Sequence, residues 1–214
     1  MRTCFKQIDD IKPLSAGVAA PSHDGFFEGR PHAGTCRRNV FTGLVAAAIA
    51  LTSLGARTQS PKLDAPNVVV ISNLLVTSGQ PTASALEQLA LLGFGAVIYL
   101  APATVPDAIK NEAEIVERQG LVYINLPIKF NSPTEADFES FVAALARIGT
   151  KKVLVHCQVN LRASSMVFLH RVVVGKESPQ TAYEAVAKVW SPEGPWKALL
   201  VSVLRKNQIQ FEPY

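Results

Sequence analysis

The fold is decided by one stretch, Val153-Leu154-Val155-His156-Cys157-Gln158-Val159-Asn160-Leu161-Arg162-Ala163-Ser164-Ser165. Its beginning, 153–156, has the composition of a buried strand, and a helix is predicted to begin near Arg162. The tight loop between them starts with a cysteine and ends with an arginine. A loop of this kind indicates an anion pocket with a nucleophile at its floor.

Outward from this stretch, short apolar strands alternate with helical patterns. Strands are predicted at 67–71, with 73–77 continuing beyond a turn, and at 96–100, 121–126 and 153–156. Helices are predicted at 82–92, 107–119, 132–149, 162–175, 178–190 and 196–206, with Asp107 and Ser132 as the caps of the second and third. Such alternation requires right-handed crossovers and parallel strands. We therefore predict a single α/β domain with a central, mostly parallel sheet of about four strands, flanked by helices and followed by C-terminal helical segments.

Residues 1–56 have the layout of an export signal. Arg37 and Arg38 precede an uncharged, mostly apolar run that closes in small residues at Gly55 and Ala56, where cleavage is expected. The paired arginines suggest a twin-arginine route. An uncleaved membrane anchor facing outward and a buried core helix are the alternatives.

The predicted division is therefore a leader over 1–56, a linker over 57–66 and a domain over 67–214. The expected location is the bacterial periplasm, and the membrane is a partner only if the leader is retained as an anchor. Residues 57–214 hold 15 basic and 13 acidic side chains. A balance this even does not favour a nucleic-acid partner.

The cysteines divide between the leader and the domain. Cys4 and Cys36 lie in the leader, so Cys157 is the lone cysteine of the mature part. A lone cysteine in an exported domain makes no internal disulfide. It is either a reactive thiol or a buried structural cysteine.

The loop after the last strand has a definite chemistry. Ligands of parallel α/β sheets bind beyond the carboxyl ends of the strands, where Cys157 stands. Loop amides and the dipole of the following helix favour its thiolate, and Arg162 presents a fork of N–H groups to an oxyanion. Ser164 or Ser165 is a candidate donor, and His156 either orients the loop or is a satisfied core histidine.

Six segments together resemble the cysteine-dependent protein tyrosine phosphatase superfamily. The resemblance is to a bacterial dual-specificity-like branch related to the phosphatase-like part of beta-lactamase-hydrolase-like proteins. The segments are Thr77-Ser78-Gly79-Gln80-Pro81-Thr82, Gly93-Phe94, 96–100, 123–127, His156-Cys157 and Arg162-Ala163-Ser164. They span about half of the chain.

The resemblance implies a phosphatase of phosphotyrosine or small aryl or alkyl phosphates, working without metal or cofactor. Cys157 would form a cysteinyl-phosphate, while Arg162 would bind the phosphoryl oxygens. Phosphate binding would also involve the loop and first helical turn, namely Gln158, Val159, Asn160, Leu161, Ala163 and Ser164. An aspartate ahead of the cysteine strand would act as general acid and then as base.

Two departures from the family pattern keep other functions open. Only four residues separate Cys157 from Arg162, where the family usually has five and rhodanese-like sulfurtransferases have four. No acid stands at 129–131, where the family aspartate is expected, so Asp137, with Glu135 as its alternative, is the candidate acid. The alternatives to phosphatase activity are sulfur transfer through a Cys157 persulfide and phosphate binding without turnover.

Overall fold

The computed structural model describes residues 62–214. The predicted leader and residues 57–61 of the predicted linker lie outside the described residues. Within 62–214, no helix has both the length and the apolar character needed to cross a membrane. Residues 62–66 pack against the domain, because Leu63 is buried in the core and the Pro66 carbonyl accepts a hydrogen bond from the Gly79 amide at 2.7 Å.

Five short strands and six helices follow one another along the described chain. The strands are β1 (Val69–Ser72), β2 (Leu75–Ser78), β3 (Ala96–Tyr99), β4 (Val122–Asn125) and β5 (Val153–His156). The helices are α1 (Ala83–Leu86), α2 (Glu112–Glu117), α3 (Glu135–Ile148), α4 (Leu161–Val173), α5 (Pro179–Ala187) and α6 (Gly194–Lys206).

The strands form one sheet in the order β1-β2-β5-β3-β4. Strands β2, β5, β3 and β4 run parallel to one another, and β1 pairs antiparallel with β2. The predicted α/β class is confirmed. The sheet has five strands rather than about four because a turn at 73–74 divides the first apolar run into a hairpin.

The sheet separates two hydrophobic clusters, and β5 contributes to both. Val153, Val155 and Cys157 belong to the larger cluster, together with residues of α3, α4, α5 and α6. Leu154 belongs to the smaller cluster on the other face, with residues of α1 and α2. Because side chains alternate along a strand, His156 and Cys157 point to opposite faces of the sheet.

Two helices begin later than the sequence predicts. The helix predicted from Asp107 begins at Glu112, and 101–111 is an irregular segment whose Asp107 side chain bonds to the cysteine loop instead of capping a helix. The cap of α3 is Thr134 rather than Ser132. Its hydroxyl accepts from the amide of Asp137 at 3.1 Å, and the Asp137 carboxylate accepts from the Thr134 amide at 2.8 Å.

Candidate active site

Cys157 lies directly beyond the carboxyl end of the central strand β5. Its side chain has 0% of its surface exposed. Its amide donates to the carbonyl of Ser78 at 3.3 Å, which continues the pairing of β5 with β2. The backbone of Cys157 is therefore held by the sheet at the point where the loop begins.

The backbone that follows Cys157 has the form of an anion-binding loop. Asn160 adopts a left-handed conformation with φ 74°, and α4 begins at the next residue. Val159 forms an isolated antiparallel bridge with Gly79, and the Ser164 amide donates to the Asn160 carbonyl at 3.0 Å. The amides of the first turn of α4 lack intrahelical partners, as at any helix N-terminus, and such N–H groups attract an oxyanion.

The loop is fixed from its outer side by residues near β2. The amide of Gln80 donates to the carbonyl of Gln158 at 2.9 Å. Gly79 lies so close that an added Cβ would stand 2.8 Å from that carbonyl oxygen and 3.1 Å from the Cα of Val159. This contact gives the Ser-Gly-Gln-Pro motif a structural role, because only glycine permits such an approach.

Two asparagines complete this attachment. The Asn67 side chain donates to the Val159 carbonyl at 3.0 Å. The Asn160 side chain donates to the Asn67 carbonyl at 2.6 Å and to the Thr77 hydroxyl at 3.0 Å. Asn160 thus supplies both the left-handed turn of the loop and its link to the neighbouring strand.

Arg162 is buried beneath the loop that it closes. Its side chain is 5% exposed, and its Nε donates to the Ile128 carbonyl at 3.1 Å. Its Nη1 lies 3.4 Å from Gln158 Oε1, and the guanidinium lies 5.1 Å from the centre of the Phe130 ring. These contacts fix the plane of the guanidinium, as bidentate recognition of an oxyanion requires.

A cavity of about 220 Å³ opens beside the loop. Its wall contains one cation, one carboxylate, one amide and three apolar side chains: Arg162, Asp107, Gln158, Phe130, Val159 and Leu161. Cys157 is not part of the wall and lies in the core behind the loop. Of the predicted binding residues, the structure brings Gln158, Val159 and Leu161 to this cavity.

The other predicted binding residues support the loop from within. Asn160 and Ala163 are fully buried. The Ser164 hydroxyl donates to the Leu161 carbonyl of its own helix at 3.2 Å. The Ser165 hydroxyl is buried without a hydrogen-bond partner. Neither serine reaches the cavity wall.

The predicted acids do not lie at the cavity. The Asp137 carboxylate closes the capping box of α3, accepting from both the amide and the hydroxyl of Thr134 at 2.8 Å. Glu135 accepts from Lys206 at 2.9 Å and from Ser202 at 2.7 Å, and these hydrogen bonds lower its pKa. Asp137 thus caps its own helix, and Glu135 attaches α3 to α6. Both are ordinary roles for acids in a first helical turn.

Asp107 is the carboxylate that the structure places in the cavity wall. Its Oδ1 accepts from Gln158 Nε2 at 2.8 Å, and Gln158 in turn contacts Arg162. Sequence reasoning missed this residue because the aspartate after Pro106 has the appearance of a helix cap. The available signal was its position in the segment following β3, the parallel neighbour of β5.

On the opposite face of the sheet, His156 enters a second buried network. Its Nε2 lies 2.7 Å from Glu112 Oε1, and Glu112 Oε2 accepts from Gln80 Nε2 at 2.8 Å. The Tyr99 ring stacks on the imidazole with centroids 4.7 Å apart. Burial, the carboxylates of Glu112 and Asp107 and the nearby thiol raise the pKa of the Tyr99 hydroxyl.

Comparison with protein families identifies this constellation. The family model described as "DSP-PTPase phosphatase fused to NAD+ Kinase" matches residues 63–194, which is more than half of the chain. The chain belongs to this phosphatase family. The resemblance inferred from Ser78-Gly79-Gln80-Pro81 and from the cysteine loop is confirmed, and the domain is phosphatase-like in family and fold.

Curated relatives of the phosphatase domain are longer proteins. This chain is 35% identical over 112 residues to the beta-lactamase hydrolase-like protein of Xylella fastidiosa strain Temecula1. The alignment covers 51% of this chain and 26% of that protein. The phosphatase domain therefore corresponds to about a quarter of that relative.

Solved structures share its fold. A DUF442 protein of Shewanella putrefaciens CN-32, described as a phosphatase candidate, is 28% identical with a TM-score of 0.62, covering 67% of this chain and 94% of that one. The catalytic core of the PP-IP phosphatase SIW14 of S. cerevisiae is 14% identical with a TM-score of 0.54, covering 67% and 87%. The yeast likeness concerns the fold alone.

Proposed function

We propose that the protein hydrolyses phosphomonoesters through a cysteinyl-phosphate on Cys157. The observation that carries the proposal is the short loop from Cys157 to Arg162 between β5 and the N-terminus of α4, with the Arg162 guanidinium held in the cavity wall by Ile128 and Gln158. Amides and guanidinium are the donors that the three equatorial oxygens of a transferring phosphoryl group need. They are fixed before substrate arrives, so they cost little reorganisation during the reaction.

The reaction has two balanced steps. The Cys157 thiolate attacks phosphorus, the bond to the ester oxygen breaks, and the departing oxygen takes a proton from the Asp107 carboxyl group. Water then attacks the cysteinyl-phosphate, gives its proton to the Asp107 carboxylate, and releases inorganic phosphate and the thiolate. Asp107 fits the role because its Oδ1 is held by Gln158 while it faces the same cavity as Arg162.

The cavity wall supports a substrate with an aromatic or apolar alcohol part. Phe130, Val159 and Leu161 provide apolar surface beside the guanidinium. An aryl group placed there buries apolar area while its phosphate reaches the loop. We therefore propose aryl phosphates, including phosphotyrosine side chains, as the preferred substrate class.

The test is turnover of p-nitrophenyl phosphate by the full chain and by its Cys157→Ser variant. We expect steady release of phosphate from the unaltered protein and a loss of about 10³-fold or more in the variant. An acid quench of the unaltered protein during turnover should trap phosphate on the peptide that contains Cys157. Equal turnover by the serine variant would contradict a cysteine nucleophile.

The four-residue loop supports a second candidate, sulfur transfer through a Cys157 persulfide. It predicts cyanide-dependent conversion of thiosulfate to thiocyanate, lost in Cys157→Ser. Phosphate binding that is lost in Arg162→Ala, in a protein with neither activity, would instead identify a phosphate-binding protein without turnover. The three outcomes are mutually distinguishable on the same preparations.

A further inference from the structure

Glu112 is a buried carboxylate with a partner on each oxygen. It is 2% exposed. His156 Nε2 lies 2.7 Å from Oε1, and Gln80 Nε2 donates to Oε2 at 2.8 Å. A carboxylate removed from water is costly unless it is paired and hydrogen-bonded, so the two partners are required for its burial.

Both partners adjoin the cysteine loop. His156 is the last residue of β5 and precedes the nucleophile. The backbone amide of Gln80 donates to the Gln158 carbonyl at 2.9 Å, while its side-chain Nε2 donates to Glu112. One carboxylate therefore connects the two backbone segments that flank the start of the loop. The Tyr99 ring, stacked on His156, leaves the imidazole little freedom to turn away.

Glu112 also ends the segment that carries the candidate acid. Residues 101–111 run without regular structure from β3 to α2, and Asp107 lies within them. At one end this segment is anchored by β3, and at the other by α2 with the buried Glu112 side chain. The two hydrogen bonds of Glu112 therefore fix the α2 end of this segment to Gln80 and His156, beside the loop.

Stability alone is a weak explanation for this arrangement. A buried, paired carboxyl group seldom contributes more to folding than well-packed apolar side chains of the same volume. Its particular property is geometry, because a carboxyl group hydrogen-bonded to two fixed partners defines their positions closely.

We propose that Glu112 is a positioning residue of the reaction, acting through His156 and Gln80 on the loop of Cys157 and through its own segment on Asp107. This inference rests on the proposed phosphatase function. It assigns Glu112 no contact with the substrate.

The test compares the full chain with Glu112→Gln, which keeps the side-chain shape but cannot accept from both partners. Glu117→Gln is the matched control, because Glu117 lies on the same helix and is exposed. Turnover is measured with phenyl phosphate, a poor leaving group, and with p-nitrophenyl phosphate, a good one. Binding of inorganic phosphate is measured by calorimetry, and the folded fraction by denaturant titration.

We expect Glu112→Gln to lower kcat for phenyl phosphate by about 10²-fold, and to lower it less for p-nitrophenyl phosphate. KM should change much less than kcat, phosphate binding should weaken about tenfold, and Glu117→Gln should change none of these. If Glu112→Gln does not fold, Gln80→Met removes one of the two bonds and should give a smaller loss with the same pattern.

A role in stability alone predicts a lower midpoint of unfolding with unchanged kcat per folded molecule and unchanged phosphate affinity, and that result would overturn the proposal. If the unaltered protein hydrolyses neither ester, the proposed function fails. The phosphate affinities of the two variants then still decide whether Glu112 sets the loop.

Discussion

The two faces of the sheet at Cys157 are built in different ways. On the α2 face, Gln80, Glu112 and His156 are 9%, 2% and 0% exposed and are joined by short hydrogen bonds. On the cavity face, Asp107 is exposed and one hydrogen bond joins its side chain to the loop.

This difference separates two requirements of a catalytic site. Under the proposed function, the loop that binds the phosphoryl group has to be rigid, and buried hydrogen bonds provide rigidity because an opened one leaves a desolvated group unpaired. The acid has to exchange protons with a leaving group and with water, and so it has to remain accessible. Substitutions on the two faces should therefore fail in different ways, with loss of stability and activity together on one face and loss of activity alone on the other.

The largest expected effect is on the cavity face. Asp107→Asn should lower kcat/KM for phenyl phosphate by about 10² to 10⁴, because the asparagine keeps the hydrogen bond from Gln158 but supplies no proton. The free energy of unfolding should stay nearly unchanged, since the side chain is exposed.

Asp137→Ala is the control for this substitution, because Asp137 was the acid expected from the sequence. It removes the capping box of α3 and should cost about 1 kcal/mol of stability, with kcat/KM unaltered. Loss of activity in Asp137→Ala together with full activity in Asp107→Asn would show that Asp137, and not Asp107, is the general acid. Kinetics and urea titration on the two proteins decide between them.

Gly79→Ala should reduce activity about 10²-fold and stability by about 1 to 3 kcal/mol. The new methyl group would meet backbone of the loop, including the Gln158 carbonyl oxygen at 2.8 Å. The loop then has to move away from β2, which displaces its amides.

Gly95→Ala provides the comparison for Gly79→Ala. Its added Cβ would meet the Lys151 side chain at 3.0 Å, at the opposite end of the strands. A fall in stability without a fall in kcat is expected there. Equal losses of kcat in both glycine variants would show that the contact with the loop is not what matters.

Asn160→Ala is expected to lower the stability of the domain, with a smaller effect than the two preceding substitutions. The position has φ 74°, which costs an alanine about 1 to 2 kcal/mol, and the hydrogen bonds to Asn67 and Thr77 are lost as well. Asn160→Gly removes only the hydrogen bonds, so it should be the more stable of the two. A reversed order in thermal unfolding would argue against backbone strain as the cause.

The smallest effect concerns Tyr99, whose buried hydroxyl has no hydrogen-bond partner. Tyr99→Phe should raise the free energy of unfolding by about 1 kcal/mol, because an unpaired buried hydroxyl is a cost. The raised pKa of Tyr99 has a further consequence at alkaline pH. Above about pH 10 the unfolded chain ionises first, so stability that is complete below pH 10 is lost as the pH rises.

Tyr99→Phe should lessen that alkaline loss, leaving a part that belongs to Tyr123, whose pKa burial also raises. Denaturant titrations at neutral pH and above pH 10 measure both effects. An unchanged slope of stability with pH would remove Tyr99 from the explanation. A large fall in kcat at neutral pH would instead give its hydroxyl a functional role.

The sequence by itself determined the strand β5, the cysteine loop and the start of α4. Their signals are local, since the apolar run, the cysteine and the arginine lie within one short segment and together predict a strand, a loop and a helix start. The order of strands and helices could also be predicted from the sequence, because hydrophobic periodicity and turn residues are features of adjacent residues. The loop length of four residues belongs to the same class of local information.

Only the tertiary structure decided which distant side chains reach that loop. Asp107 lies 51 residues from Gln158 along the chain and Glu112 lies 44 residues from His156, yet both pairs are hydrogen-bonded. Local patterns favoured Asp137, because a carboxylate in a first helical turn and a carboxylate at an active site look the same in sequence. The strand order places β3 beside β5, and this adjacency brings the segment after β3 to the cysteine loop, which periodicity along the chain does not reveal.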